Sequence, residues 1–263
     1  MNPALPVGRL HLVPTPLDHG CDSPVPLMDV LPMSTLHAAA SITHWIGENA
    51  KSTRAFLARV NAATPLCVPI QAQNIVELPH AVHKKGDHDR RTPRPDMRPL
   101  LTVALQGHDI GLISEAGMPA IADPGSSVVR TAHELGISVV PLVGPVSITL
   151  ALAASGLNGQ NFAFVGYLPQ DATARVQRIR ELEARAHRSG EAQVFIETPY
   201  RNLALLQALL TTLHGDTRLA LASGLTLPGQ MVRSASVTQW KHAPDLLDRW
   251  RDNHAPTVFA LGR

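Results

Sequence analysis

The sequence predicts an α/β fold, organised as two α/β domains. Three observations carry this. Short apolar runs repeatedly stop at Gly/Pro turns and give way to helical spacing. The stretch 111–147 holds two such strand-turn-helix steps in a row, the pattern of an open parallel sheet. A chain of 263 residues is long for one α/β domain and comfortable for two. The expected division is 1–145 and 146–263, with the break falling between Val143 and Gly156.

The elements follow in order. Leu10 to Val13 reads as a strand stopped by Pro14-Thr15-Pro16, and Asp18 to Pro32 as loop. Thr35 to Ile46 begins with helix-forming alanines and ends strand-like. Ser52-Thr53 is the expected cap of a helix over 54–61, and a strand is expected around Leu66 to Ile70. A helix from Pro99 to Leu105 leads to the strand at 111–114. Glu115 to Pro119 and Asp123-Pro124-Gly125 are sharp turns. Ser126 to Leu135 is a helix with Gly136 past its end, and Ile137 to Val143 is a strand stopped by Gly144-Pro145. Beyond it come a small-residue helix (146–155), a strand (162–167) and a basic amphipathic helix (172–189). A strand (193–197), a helix (202–213), a strand (218–222), a helix (245–251) and a closing strand (256–261) complete the chain.

Composition removes several classes of function. No apolar run reaches eighteen residues, so no membrane-spanning helix is expected. The start, MNPALPVGRLHLV, lacks the charged-then-apolar pattern of a signal peptide. Cys21 and Cys67 have no metal or redox spacing and read as free thiols of a reducing cytosol. A net charge of +2 is too small to argue for nucleic acid by itself. Residues 79–99 mix Lys84, Lys85, Arg90, Arg91, Arg94 and Arg98 with Asp87, Asp89 and Asp96. A basic flap on a polyanion is one reading of this loop. The aspartates favour a solvated insertion. His80, His83 and His88 lack partners at metal-site spacing, so a metal is not expected.

Phosphate-loop, dinucleotide-fingerprint, nucleophile-elbow and zinc-protease motifs are absent. What remains is a set of backbone-rich turns at strand ends, where open α/β sheets hold their ligands. Glycine there lets a ligand approach bare main chain. Such turns suit a ligand recognised by main-chain amides and carbonyls in a largely apolar slot.

The 111–147 block, with FVGYLP at 164–169 and FIETPYR at 195–201, resembles the tetrapyrrole methylase superfamily of S-adenosylmethionine-dependent methyltransferases. Within it the chain is most similar to the branch that methylates a ribose 2′-hydroxyl of small-subunit ribosomal RNA. That branch shows a V-P-T-P-I-G-N-L start, an A-E-D-T-R segment and an S-D-A-G-T-P-x-x-x-D-P-G block. Val13-Pro14-Thr15-Pro16, Gly47-Glu48-Asn49-Ala50-Lys51 and Ser114 to Pro119 with Asp123-Pro124-Gly125 stand for these. Leu142-Val143-Gly144-Pro145 stands for its P-G-P-x turn, and the order is kept nearly end to end.

The resemblance implies two α/β domains with S-adenosylmethionine in a cleft between them, a cytoplasmic homodimer, and ribosomal RNA or a small-subunit particle as partner. Carried over by position, the cofactor-lining residues are Pro14, then Ser114, Glu115, Ala116 and Gly117, then Ile121, Ala122 and Asp123. They continue with Gly144, Pro145, Val146 and Ser147, then Gly166, Tyr167 and Leu168, then Pro256, Thr257 and Val258. Glu48 is the candidate general base, with Glu115 and Glu197 behind it. Lys51, Arg54, Glu197 and Arg201 are the candidate substrate contacts. For each carboxylate a capping or turn role is the competing reading, and for the arginines an ion pair.

The departures fall mostly where substrate is expected. G-N-L becomes Leu17-Asp18-His19-Gly20, E-D-T-R becomes Glu48-Asn49-Ala50-Lys51, and the family aspartate is Glu115 with Met118 after Gly117. An R-E-L-T-K segment is replaced by Ala222 to Leu227. A tetrapyrrole or other small-molecule acceptor, or a paralogue that binds the cofactor without turnover, are the alternatives.

Overall fold

In the computed structural model of the chain, residues 6–18, 20–21, 23–79, 95–243, 249–250 and 255–263 are described. Most of the basic loop, with Lys84, Lys85, Arg90, Arg91, Arg94 and the three histidines, lies outside them, as does most of the helix expected at 245–251. The chain forms two compact units, Met1–Val146 and Ser147–Arg263.

The first unit is a five-stranded parallel sheet. Its strands are β1 (Leu10–Val13), β2 (His44–Gly47), β3 (Asn74–Glu77), β4 (Ile110–Ile113) and β5 (Val139–Pro141), in the order β3-β2-β4-β1-β5. Helices α1 (Leu27–Val30), α2 (Met33–Ser41) and α3 (Ala50–Ala63) cover one face. Helices α4 (Arg98–Leu105) and α5 (Ser126–Glu134) cover the other. Period-two alternation sends Ile110 and Leu112 of β4 into one core and Ile113 into the opposite one. Gly111 leaves room beside Trp45, its register partner on β2: a Cβ at Gly111 would lie 2.5 Å from the indole ring. The buried Trp45 Nε1 donates to Gln73 Oε1 at 3.0 Å, which removes the cost of an unpaired indole N–H.

Helix α3 starts earlier than Ser52-Thr53 predicts. Asn49 is its N-cap, with Oδ1 accepting from the amides of Lys51 and Ser52. The Ala50 amide donates to Glu77 Oε1 at 2.7 Å, so the first turn is satisfied by the chain itself. The strand expected at 66–70 is absent. Pro65 and Pro69 bracket that stretch, a 3₁₀ turn follows at Ile70–Ala72, and the strand is β3 instead. The loop expected from Asp18 to Pro32 contains the short α1.

The second unit is a mixed sheet of β6 (Phe162–Tyr167), β7 (Ala192–Glu197), β8 (Arg218–Ser223), β9 (Met231–Ser236) and β10 (Thr257–Gly262), ordered β6-β7-β10-β8-β9. Only β6 and β7 run parallel, and the other pairings are antiparallel. Helix α6 (Ser147–Ser155) opens this unit. A large core forms where α7 (Ala172–Ser189), α8 (Asn202–Thr212) and α9 (Val237–Lys241) meet the sheet. Phe195 and Phe259, opposed across β7 and β10, stack at 5.8 Å between ring centroids. No helix among the described residues is long and apolar enough to cross a membrane.

Candidate active site

The carboxyl ends of β1, β2 and β4 lie side by side in the first sheet. The chain leaves β1 and β2 toward one face and β4 toward the other, which makes this the point where an open sheet leaves a crevice. The turn after β1 is pinned to the turn after β4 by a reciprocal pair of backbone hydrogen bonds. Thr15 N–H donates to Gly117 O at 2.9 Å, and Gly117 N–H donates back to Thr15 O at 3.1 Å. Thr15 Oγ1 adds a bond to Ser114 O at 3.2 Å. Gly117 holds φ +81°, where a side chain is strained. Gly144 approaches Pro14 so closely that a Cβ would sit 2.3 Å from the ring. The family-like turns at 14–16, 114–117 and 144–145 are thus one packed assembly within this unit.

The loop from Gly117 to Gly125 is under backbone strain. Ala120 and Ala122 both hold positive φ, at 65° and 64°. Non-glycine residues there cost of order 1 kcal/mol each, and such strain concentrates at functional sites. Asp123 follows directly.

Three carboxylates meet at these strand ends. Glu48 follows β2, Glu115 follows β4, and Asp123 precedes α5. Glu48 Oε1 accepts from the Glu115 amide at 3.2 Å. Burial, then the charges of Glu48 and Glu115, push the Asp123 carboxyl up to about 7. Its proton is therefore in exchange near neutral pH. Sequence reasoning placed Asp123 among cofactor contacts and did not foresee this titration, because 67 residues separate Glu48 from Glu115 and only the fold brings them together.

A cavity of about 400 Å³ opens beside this cluster, lined by Thr15, Asp18, Lys51, Arg59, Ser114 and Glu115 among others. Lys51 is exposed on the first turn of α3. Arg54 is exposed one turn on, its Nη1 3.5 Å from Ala50 O of its own helix. Asp18, a departure from the family pattern, is buried and spoken for. Its carboxylate accepts from Arg59 Nη1 (3.1 Å), Arg59 Nη2 (2.8 Å) and the Val25 amide (2.9 Å). This clamp folds the loop after β1 onto α3 and shapes the cavity wall.

The candidates of the second unit are occupied differently. Glu197 is buried, and its Oε1 accepts from the Thr198 amide (2.7 Å), Arg201 Nε (2.9 Å) and Arg201 Nη2 (2.7 Å). The turn and ion-pair roles weighed against substrate binding are what this geometry displays. Gly166 takes φ +73° at the register shift between Phe164 and Tyr167. Tyr167 and Pro256 are exposed, whereas Leu168 puts its side chain in the core. Val258 is buried. Thr257 Oγ1 donates to Ser223 Oγ at 2.9 Å and accepts from Asn202 Nδ2 at 3.1 Å.

Comparison with known proteins agrees with this arrangement. The family model described as "Tetrapyrrole (Corrin/Porphyrin) Methylases" matches residues 53–240. "Ribosomal RNA small subunit methyltransferase I" of Vibrio cholerae is 33% identical over 227 residues, covering 86% of this chain and 68% of that protein. The protein of the same name from Escherichia coli O157:H7 is 30% identical over 230 residues, covering 88% and 70%. Among solved structures, the methyltransferase CobJ superposes with a TM-score of 0.51 at 16% identity, over 97% of this chain and 94% of that one, a likeness of fold alone. Together they define an enzyme, a methyltransferase. The chain belongs to the tetrapyrrole methylase family.

Proposed function

We propose that this methyltransferase uses S-adenosylmethionine to methylate a ribose 2′-hydroxyl of small-subunit ribosomal RNA. The observation that carries the reading is the gathering of Glu48, Glu115 and Asp123 beside glycine-lined turns at one end of the parallel sheet. The names of the relatives support the acceptor.

The residues present suit the cofactor. Adenine wants apolar walls and close approach to the main chain, which Pro14, Gly117, Ile121, Ala122, Gly144, Pro145 and Val146 offer in the first unit. Ser147, Gly166, Tyr167, Pro256 and Thr257, with the backbone of Leu168 and Val258, are the contacts of the second. A sulfonium wants oxygen nearby, and the three carboxylates provide it. The domain division at 1–145 and 146–263, a homodimer and a cytoplasmic location belong to the same proposal.

Bound S-adenosylmethionine supplies an already activated methyl group. The work left to the chain is alignment and removal of one proton. Glu48, held by the Glu115 amide, is placed to accept the hydroxyl proton. Lys51 and Arg54 present cations along α3 for backbone phosphates. Glu197 and Arg201 keep the turn after β7 in shape.

The test is transfer of a labelled methyl group from S-adenosylmethionine to isolated small subunits, to naked small-subunit RNA and to a tetrapyrrole. Incorporation into ribose of the RNA upholds the proposal. Incorporation only into the tetrapyrrole, or binding without turnover on any acceptor, replaces it with one of the two alternatives.

A further inference from the structure

The acidic cluster is more than a proton acceptor requires. One carboxylate suffices to take the hydroxyl proton, yet Glu48, Glu115 and Asp123 converge from three segments. The charges acting on Asp123 are both carboxylates, and Lys51, on the first turn of α3, is exposed to solvent. Beside them Ser114 is buried, its Oγ meets no partner, and it lines the same cavity as Glu115. A buried hydroxyl without a partner costs free energy unless something else completes it. Ala120 and Ala122, both at positive φ, lead directly into Asp123.

We propose that the Glu48–Glu115–Asp123 cluster is the counter-charge for the sulfonium, so that the site tells the charged methyl donor from its neutral thioether product. This rests on the cofactor reading given above. Like charges held together repel, and a cation among them relieves the repulsion. Methyl transfer removes that cation. The repulsion then returns or a proton is taken up, and the product loses its hold.

The linkage has a definite direction. A cationic ligand favours ionised Asp123 and lowers its proton affinity. Donor binding therefore releases a proton below pH ~7, and donor affinity rises with pH until it levels off near that value. The rise is about tenfold per pH unit at most, for one coupled proton. The thioether carries the same amino acid and adenosine but no sulfonium, so its affinity lacks this component.

The experiment is calorimetric titration of the full chain with S-adenosylmethionine and S-adenosylhomocysteine, between about pH 6 and pH 8, in two buffers of different ionisation heat. The expected result is donor affinity rising several-fold across that range, with buffer-dependent heat, while product affinity changes little. Asp123→Asn is expected to flatten the donor profile. Glu48→Gln, an independent variant, is expected to narrow the donor–product gap at pH ~8. Parallel profiles for the two ligands in the wild-type chain overturn the counter-charge while leaving the cofactor reading intact. Absence of binding by both ligands overturns the cofactor reading and this inference with it. The wild-type comparison decides even where a variant fails to fold.

Discussion

The two units treat their buried carboxylates in opposite ways. In the second, Glu197 is filled by Arg201 and Thr198, and Glu183 accepts from the His214 amide and Thr217. In the first, the Asp123 carboxyl is raised by burial and then by the charges of Glu48 and Glu115. A carboxylate filled by donors steadies the turn that carries it. One pressed by burial and like charge carries a cost, and such perturbed groups gather at functional sites.

That contrast breaks most visibly in the core of the second unit. Phe259→Ala removes half of the stacked pair with Phe195 and is expected to cost about 3–5 kcal/mol, read as the shift of a chemical unfolding curve. An unfolding midpoint unchanged from wild type would show that this core is not what holds the unit together. Next in size is Glu48→Ala. Methyl transfer is expected to fall roughly a hundredfold or more, about 2.7 kcal/mol of activation free energy, while affinity for the thioether product in calorimetry stays within the same order. Full turnover in this variant would remove Glu48 as the base.

Asn49→Ala is expected to cost about 1 kcal/mol of stability through loss of the α3 cap, measured by the same unfolding curves. If the midpoint does not move, Glu77 alone secures the helix start. The finest test compares the two ends of the parallel sheet. Asp109, just before β4, feels burial pushing its carboxyl up, but hydrogen bonds from Arg9 and His11 bring it down to about 2. It stabilises the fold above pH ~4, and that contribution is lost as pH falls toward ~2. Asp123, at the other end, is raised to about 7, so its ionisation costs stability as pH rises from ~4 to ~7. Stability profiles of Asp109→Asn and Asp123→Asn against pH are expected to depart from wild type in opposite windows. Departures in the same window would mean that the two ends are not electrostatically distinct.

Most of the fold was legible. Strands such as 110–113, inside its sheet, and 162–167, at an edge, are apolar runs closed by Gly/Pro, and the helix at 172–189 carries its own caps in Asp171 and Gly190. Two of the edge strands were harder. β3 and β9 are short or polar, as NIVE and MVRSAS show, because an edge half in water has no need of an apolar period. β9 and the following α9, with its Ser236–Gln239 capping box, went unpredicted. The expected parallel grammar held in the first unit, and the antiparallel pairing of β7, β10, β8 and β9 was not anticipated. At the site, the turns were readable from glycine and proline. The neighbours of Asp18 and of Asp123 were not, because Arg59 and Glu48 come from distant parts of the chain.

The bridge between Thr15 and Gly117 uses main-chain atoms only. A joint of that kind does not specify the side chains beside it. Glu115 and Met118 stand where the family pattern described above has aspartate and threonine, and the joint is formed all the same. The scaffold is thus open to drift: side chains beside the joint can be exchanged without the turns losing their shape.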